Sequence, residues 1–406
     1  MKRDEVKAHG LDGQLVEPDW PVLGLDEVDR LLRRFPQAER AVRLLSYSPR
    51  PFSAASVVET PHGRVFVKRH HCSVRDKNSL REEHRWLEYL AGRTNLVKRP
   101  FADLLGETVM TTGAWTYEVH TCGEGLDVYE EAQSWTPFLS VGHAHSAGRA
   151  LGALHAASVG YEASARGPAP LVTSFKVFAD KNPWLQLIRY AEERTALRSY
   201  LEKRDWIRET RETFEPLHEE LHPHLFVLHP LWTHNDFHAS NLLWSNASPE
   251  AEVTDIFDFG LADRTNAIHD IATAIERSVE WLQIHDASRD PFHWEQIEAL
   301  LRGYEASRPL TRGEAEALPA LLPLVHAEFA LSEADYFIGV LKSEEKADLA
   351  YLGYFLGHAR WFSTDSGKRL LHRLQVWAES HPDSGLTRPG TDSVAAGPVT
   401  SAGARK

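Results

Sequence analysis

Short apolar–polar alternations dominate the first 120 positions, and three-to-four-residue periods take over after about residue 122. "SVVET" runs through Pro61-His62-Gly63 into "RVFVKRHH", and alternation on both sides of a Pro/Gly turn predicts a β-hairpin. "ETVMTT", a Gly113-Ala114 turn and "WTYEVH" predict a second. Between the hairpins, "SLREEHRWLEYLAG" has helical spacing and stops at Gly92, a residue suited to a C-cap. The earlier "GLDEVDRLLRRFP" reads as an amphipathic helix halted by Pro36. The expectation for residues 1–120 is a small sheet with one helix laid across it.

Beyond residue 122, "HAHSAGRALGALHAAS" lines up Ala147, Leu151, Leu154 and Ser158, and "HDIATAIERSVEWLQIH" lines up Ile271, Ile275, Val279 and Leu282. The same periodicity predicts helices over 184–203, 205–221, 293–306, 313–340 and 346–379. Gly, Pro, Ser and Thr crowd the segment 382–406, which predicts a disordered tail after a helical lobe spanning 121–381. No internal repeat is visible.

Bulk properties narrow the partners. A net charge of −13 argues against a protein that grips nucleic acid over a wide surface. It still permits a locally basic phosphate site or an acidic site for a cationic compound. No apolar run is long enough to predict a membrane span, and "MKRDEVKAHGLDGQLVE" has no apolar leader segment. Two cysteines, Cys72 and Cys122, cannot build a disulfide framework or a multi-cysteine zinc site, so a cytoplasmic location is expected.

The stretch with the densest chemistry is "HNDFHASNLL", residues 234–243. On a strand, His234, Asp236 and His238 would share one face and could ligate a transition metal, as in a metal-dependent hydrolase. Alternatively, the polar side chains satisfy one another within a packed loop. A third reading uses more of the chain. Asn241 follows Asp236 by five positions, then comes an apolar "LLW", and "IFDFG" carries Asp258 between apolar neighbours. A hairpin there would bring Asn241 and Asp258 together as hard oxygen ligands for Mg²⁺, with phosphate oxygens and water completing the octahedron. Asp236 would stand free of the metal to orient an acceptor hydroxyl and take its proton.

"THNDFHASNLLW" resembles the His-Gly-Asp-x-His-x-x-Asn loop of the aminoglycoside phosphotransferase and choline kinase superfamily, and "DFGLADRTNAIHDIATAI" resembles its next segment. The likeness covers roughly residues 40 to 285. The order of "LREEHRWLEYL", "YEVHTCGEG" and "AGRALGALHAAS" is similar to the branch containing bacterial stress-response Ser/Thr kinases and homoserine-kinase-like enzymes. It implies an α+β, bilobal, protein-kinase-like fold: an antiparallel-sheet N-lobe with one packed helix, and a larger, mainly helical C-lobe. It also implies ATP and Mg²⁺ as cofactors, with catalysis by Asp236 and metal binding by Asn241 and Asp258. His234, His238 and Asp270 would support the catalytic loop. Two departures stand out: Asn235 replaces the usual glycine, and Leu261 stands where many members carry a second acid. The second of these, with a glycine-free phosphate loop, keeps a nucleotide-binding pseudokinase as the alternative.

The N-terminal half supplies the remaining parts. In "RVFVK", alternation sets Phe66 and Lys68 on one face, opposite Val65 and Val67. Lys68 by itself reads as an exposed edge charge, but between a hairpin and a helix it resembles the strand lysine of kinases that contacts ATP phosphates. Glu83 shares a helical face with Trp86, Leu87 and Leu90, which makes it the expected partner of Lys68, with Glu82 as the alternative. In "PRPFSAASVVE", Ser53 is the candidate donor to a phosphate. Residues 118–121 are expected to connect the lobes and to offer adenine their backbone, Val119 included. The acceptor, a hydroxyl of a small molecule or of a protein Ser/Thr, should bind in the helical lobe. Trp281, Glu280, Glu328, Glu333, Asp335, Tyr336 and Trp361 are its candidate lining.

Overall fold

The computed structural model describes residues 8–9, 14–48, 50–286 and 288–381, so the predicted tail at 382–406 lies outside the described residues. A two-residue antiparallel pair, β1 (Ala8–His9) and β2 (Leu15–Val16), precedes helix α1 (Leu25–Leu32). The sheet that follows uses β3 (Arg43–Leu44), β4 (Ala54–Thr60), β5 (Gly63–His71), β6 (Met110–Thr112) and β7 (Trp115–Thr121), in the antiparallel order β3-β4-β5-β7-β6. Both predicted hairpins form. At the β4–β5 turn, Gly63 takes φ 119°, which side-chain-bearing residues rarely adopt, and Thr60 Oγ1 donates to its carbonyl at 2.7 Å.

Strand alternation gives the sheet two different faces. Val58, Val65, Val67 and Val119 pack against Val28, Leu31 and Leu32 of α1, forming a small apolar core. The opposite face carries Lys68, whose cross-strand partner is Glu118, and receives helix α2 (Lys77–Ala91). Asp76 caps α2 by accepting from the backbone of Asn78 and Ser79 at 3.0 and 2.8 Å. Two helices therefore sandwich the sheet, where the sequence led us to expect one. Trp86, Leu87 and Leu90 of α2 face the second, larger core.

That larger core is built around α3 (Val141–Ser158). Two short antiparallel pairs carry the chemistry: β8 (Pro230–Thr233) with β11 (Asp263–Asn266), and the hairpin of β9 (Leu242–Trp244) with β10 (Val253–Ile256). Helix α7 (Ala267–Glu276) follows β11. Helix α8 (Trp294–Ser307) lies against α3 so closely that glycines are required on both sides. A Cβ on Gly148 would collide with the Leu300 carbonyl, one on Gly303 with the His145 carbonyl, and one on Gly152 would sit 2.6 Å from the Tyr304 carbonyl.

Several long predicted helices are broken. The 184–203 segment divides into α4 (Pro183–Glu192) and α5 (Thr195–Leu201), ahead of α6 (Trp206–Leu221). The 313–340 segment becomes α9 (Arg312–Leu321) and α10 (Ala327–Tyr336), interrupted by a 3₁₀ turn holding Pro323. The 346–379 segment starts in a short α11 (Glu344–Asp348) and widens into a π coil over Leu349–His358. After the short α12 (Ala359–Trp361) it restarts at Thr364, whose hydroxyl caps α13 (Asp365–Glu379). The stripe ending in Leu282 is also cut short. Helix α7 stops at Glu276, and Leu282 is exposed.

Candidate active site

The loop after β8 is held from below by one carboxylate. Asp270, in the first turn of α7, accepts the backbone N–H of His234 on Oδ2 and that of Asn235 on Oδ1, both at 2.8 Å. His155 Nε2 lies 3.0 Å from the same Oδ2, and its Nδ1 meets Tyr304 Oη at 2.8 Å. The group is fully buried, where an unmade hydrogen bond would be costly. Asn235 adopts φ 61°, the left-handed conformation that glycine takes freely and asparagine tolerates. Its amide adds anchors a glycine lacks: Oδ1 accepts from Thr233 and Thr265 at 2.9 and 3.0 Å, and Nδ2 donates to the Leu261 carbonyl at 3.1 Å.

Asp236 emerges at the top of this loop. Its Oδ1 accepts from Arg277 Nε at 3.1 Å, and its Oδ2 has His238 Nε2 at 3.7 Å and Asn241 Nδ2 at 3.4 Å. Burial alone would raise this carboxyl, but His238 and then Arg277 hold it far below the usual carboxylate range, so it is ionised at neutral pH. Sequence reasoning missed Arg277. It sits just past the end of α7, where periodicity gives no signal, and its guanidinium also meets Glu276 at 2.6 Å and stacks 4.2 Å from the Trp135 ring. His234 Nε2 donates to the Phe257 carbonyl at 3.0 Å and its Nδ1 faces the Asp236 N–H at 3.3 Å. With both ring nitrogens engaged, the hydrolase-type His234–Asp236–His238 ligand set does not assemble.

The β9–β10 hairpin brings the next pair together. Phe257 N–H donates to the Asn241 carbonyl at 3.1 Å, and Asn241 and Asp258 line the same cleft as Asp236. Asn241 Nδ2 donates to the Asp236 carbonyl at 2.9 Å, which leaves Oδ1 as its remaining acceptor. An amide oxygen beside a carboxylate is a donor set that fits Mg²⁺. Asp258 takes φ 57°, and its Oδ1 binds Lys68 Nζ at 2.6 Å. Burial would lower the Lys68 ammonium, but Asp258 and Glu118 raise it above its ordinary value and keep it charged.

Three expectations change here. Glu83 does not pair with Lys68: its Oε2 takes Arg166 Nη2 at 3.2 Å, while Asp258 takes the lysine. Arg166 also donates to the Gly260 carbonyl at 3.3 Å, so Glu83 is tied to the Asp-Phe-Gly turn through a residue of an irregular segment. Val119 lies inside β7 in the small core, and its carbonyl accepts from Phe101 N–H at 2.7 Å, so it belongs to the sheet and not to a connector between the lobes. Ser53 is buried and does not line the cleft, whereas Arg50, Pro51 and Phe52 do. Arg50 has a buried Nη1 without a hydrogen-bond partner among the described residues and lies in the field of Asp258, Asp236 and Asp127. No glycine marks that loop, so no motif flagged it.

The cleft encloses about 790 Å³ and runs from these groups down into the helical lobe. Of the acceptor-lining candidates, Glu280, Trp281, Glu333 and Trp361 reach it. Glu328 instead binds the Val177 N–H, Tyr336 donates to Asp19 at 3.1 Å, and Asp335 faces Arg194. Glu333 is wholly buried, and neither of its carboxylate oxygens has a hydrogen-bond partner among the described residues. Burial pushes it up from 4.5 to about 8, against the pull of Arg277. The folded protein therefore keeps a proton that the unfolded chain loses above about 4.5, and stability falls as pH rises toward 8. Glu333→Gln should raise the melting temperature, with a gain that grows from pH 5 to pH 8 to about 2–4 kcal/mol. Melting curves across that range check it, and a pH-independent difference would contradict it.

The sequence profile of a phosphotransferase enzyme family matches residues 50–316. No curated protein matches the chain. Among solved structures, a microcompartment-associated aminopropanol kinase is similar at 18% identity, covering 86% of this chain and 100% of its own, with a TM-score of 0.56. An amicoumacin kinase, in complex with AMP-PNP, Ca²⁺ and its antibiotic, is 16% identical, with 88% of this chain and 93% of that one covered and a TM-score of 0.50. At such identities the structural likeness speaks to the fold, and both carry the kinase-like arrangement seen here. No helix among the described residues is long and apolar enough to cross a membrane. With the profile spanning the lysine strand, the loop after β8 and the Asp-Phe-Gly turn, the chain belongs to the phosphotransferase enzyme family.

Proposed function

We propose that this protein transfers the γ-phosphate of Mg²⁺-ATP to a hydroxyl of a small organic molecule bound in the cleft below Asp236. The observation that carries this reading is the convergence of Asp236, Asn241 and Asp258, the last held by Lys68 at 2.6 Å, on one cleft of about 790 Å³, a size suited to a small ligand. Its lining includes Phe329, Glu333 and His358, buried side chains of the helical lobe, and a cleft of that volume favours a compact acceptor over a protein Ser/Thr. The aminopropanol and amicoumacin kinases, named for small-molecule acceptors, agree with that preference.

In this reading each residue has one task. Asp236 Oδ1 is engaged by Arg277, so Oδ2 receives the acceptor hydroxyl, orients it toward the phosphorus and takes its proton as the new bond forms. Lys68 and Arg50 bring fixed positive charge to the triphosphate. Asn241 Oδ1 and Asp258 would hold the magnesium, which supplies neutralisation of charge on the phosphate oxygens. Lys68, bonded to Asp258 Oδ1, would share that carboxylate with the metal and offer part of its charge to the nucleotide. The two unpaired cysteines, Cys72 and Cys122, suit a reducing, cytoplasmic setting.

The test is labelled ATP with a pool of cellular metabolites, comparing the protein with Asp236→Asn. A phosphorylated small product formed only by the unaltered protein supports the proposal. Nucleotide binding with no transfer to any acceptor, even water, would replace it with a regulatory nucleotide-binding role.

A further inference from the structure

On the sheet face that carries Lys68, one carboxylate collects three imidazoles. Glu118 is 3% exposed, and its Oε2 lies 2.7 Å from His120 Nε2 and 3.1 Å from His84 Nε2, while its Oε1 lies 2.8 Å from His70 Nε2. Alternation along β7 puts Glu118 and His120 on the same side, and α2 lowers His84 onto them. The candidate ligand atoms of His84, Glu118 and His120 all lie within 4.8 Å of one another. A tetrahedral ion with bonds of about 2.0–2.1 Å needs its ligand atoms about 3.3 Å apart; the two nitrogens stand 2.7 and 3.1 Å from Glu118 Oε2, and ring rotation sets the spacing between them, which is within 4.8 Å.

The surroundings match those of a metal centre. His84 Nδ1 sits 2.8 Å from Thr108 Oγ1, a partner of the kind that fixes which ring nitrogen faces an ion, and His70 orients the carboxylate through its other oxygen. His120 is 17% exposed on its side chain, which gives an ion a path in and leaves one coordination position for water. The other imidazole–carboxylate cluster among the described residues, Glu276, His326 and His358, lacks these merits. Arg277 Nη1 already stands 2.7 Å from His326 Nδ1 and 2.6 Å from Glu276, so a fixed cation fills that place.

We propose that His84, Glu118 and His120 form a three-ligand site for a transition-metal ion of the zinc class, which staples α2 to the N-lobe sheet. The site is separate from the nucleotide metal ligands Asn241 and Asp258 and takes no part in phosphoryl transfer.

The full-length protein, stripped with chelator and reloaded with zinc, is compared by elemental analysis after gel filtration with the His84→Gln/His120→Gln double variant. The expected result is one zinc more per chain in the unaltered protein, and a zinc-dependent rise in its melting temperature that the variant lacks. Cobalt(II) added to the unaltered protein should give the visible bands of a tetrahedral centre, a readout that does not depend on the variant folding. Equal zinc content in the two proteins, or no tetrahedral cobalt spectrum, would overturn the site and leave a hydrogen-bonded cluster alone.

Discussion

Asp236→Asn should lower kcat by about 10³-fold, within the usual range for loss of a general base, while leaving ATP affinity within about threefold. The substitution keeps the shape of the side chain, and its amide oxygen can still accept from Arg277 Nε, which the carboxylate binds at 3.1 Å. The backbone carbonyl that takes Asn241 Nδ2 at 2.9 Å is untouched, so the amide proposed to hold the metal stays aimed. What disappears is the negative charge and the capacity to receive a proton. Because the carboxyl is held far below its ordinary range, this step is not what weakens first as pH falls toward 5. Steady-state kinetics beside nucleotide titration separates the two quantities. A parallel loss of both would mean that Asp236 acts on the nucleotide and not on the acceptor.

Asp258→Asn should behave differently. It removes the partner that Lys68 holds at 2.6 Å and the one carboxylate in the proposed magnesium set. Asparagine accepts the left-handed backbone at φ 57°, so the Asp-Phe-Gly turn should survive. The expected outcome is a fall of about 10-fold or more in Mg²⁺-nucleotide affinity, a kcat lower by about 10²-fold, and a higher half-saturating magnesium concentration. Stability should drop by only about 1–3 kcal/mol, because the Lys68 ammonium keeps the attraction of Glu118 across the strand. Magnesium titrations of activity would check it. Identical kinetic signatures for the Asp236 and Asp258 variants would show that their roles had been divided wrongly.

How far the sequence disclosed this site depended on the kind of signal each residue gives. Lys68 could be assigned to a face from alternation in "RVFVK" alone, and the Asn241–Asp258 approach followed from a short apolar run on either side of a turn. The partner of Glu83 could not be read, since Arg166 lies in an irregular stretch between α3 and α4 that has no period to analyse. Arg277 and Arg50 escaped notice for related reasons, one beyond a helix end and the other in a loop without a fingerprint. The misplacement of Val119 was a matter of length: β7 pairs with β5 as far as Thr121, so the chain leaves the sheet later than its polar residues suggested. Helix breaks at Pro323 and Thr364 were written in the sequence as a helix-breaker and a cap, but continuous apolar periodicity masked them.

The seam between α3 and α8 has a consequence for anyone diversifying this scaffold. At Gly148 and Gly303 the obstacle to a side chain is main chain, which cannot swing aside as a rotamer would. Even alanine must therefore wedge the two rods apart along their length, and with them His155 and Tyr304, which brace the aspartate under the loop. Randomised libraries should hold these positions invariant, and variants that lose turnover through them will do so by misaligning a strut far from the reacting phosphorus.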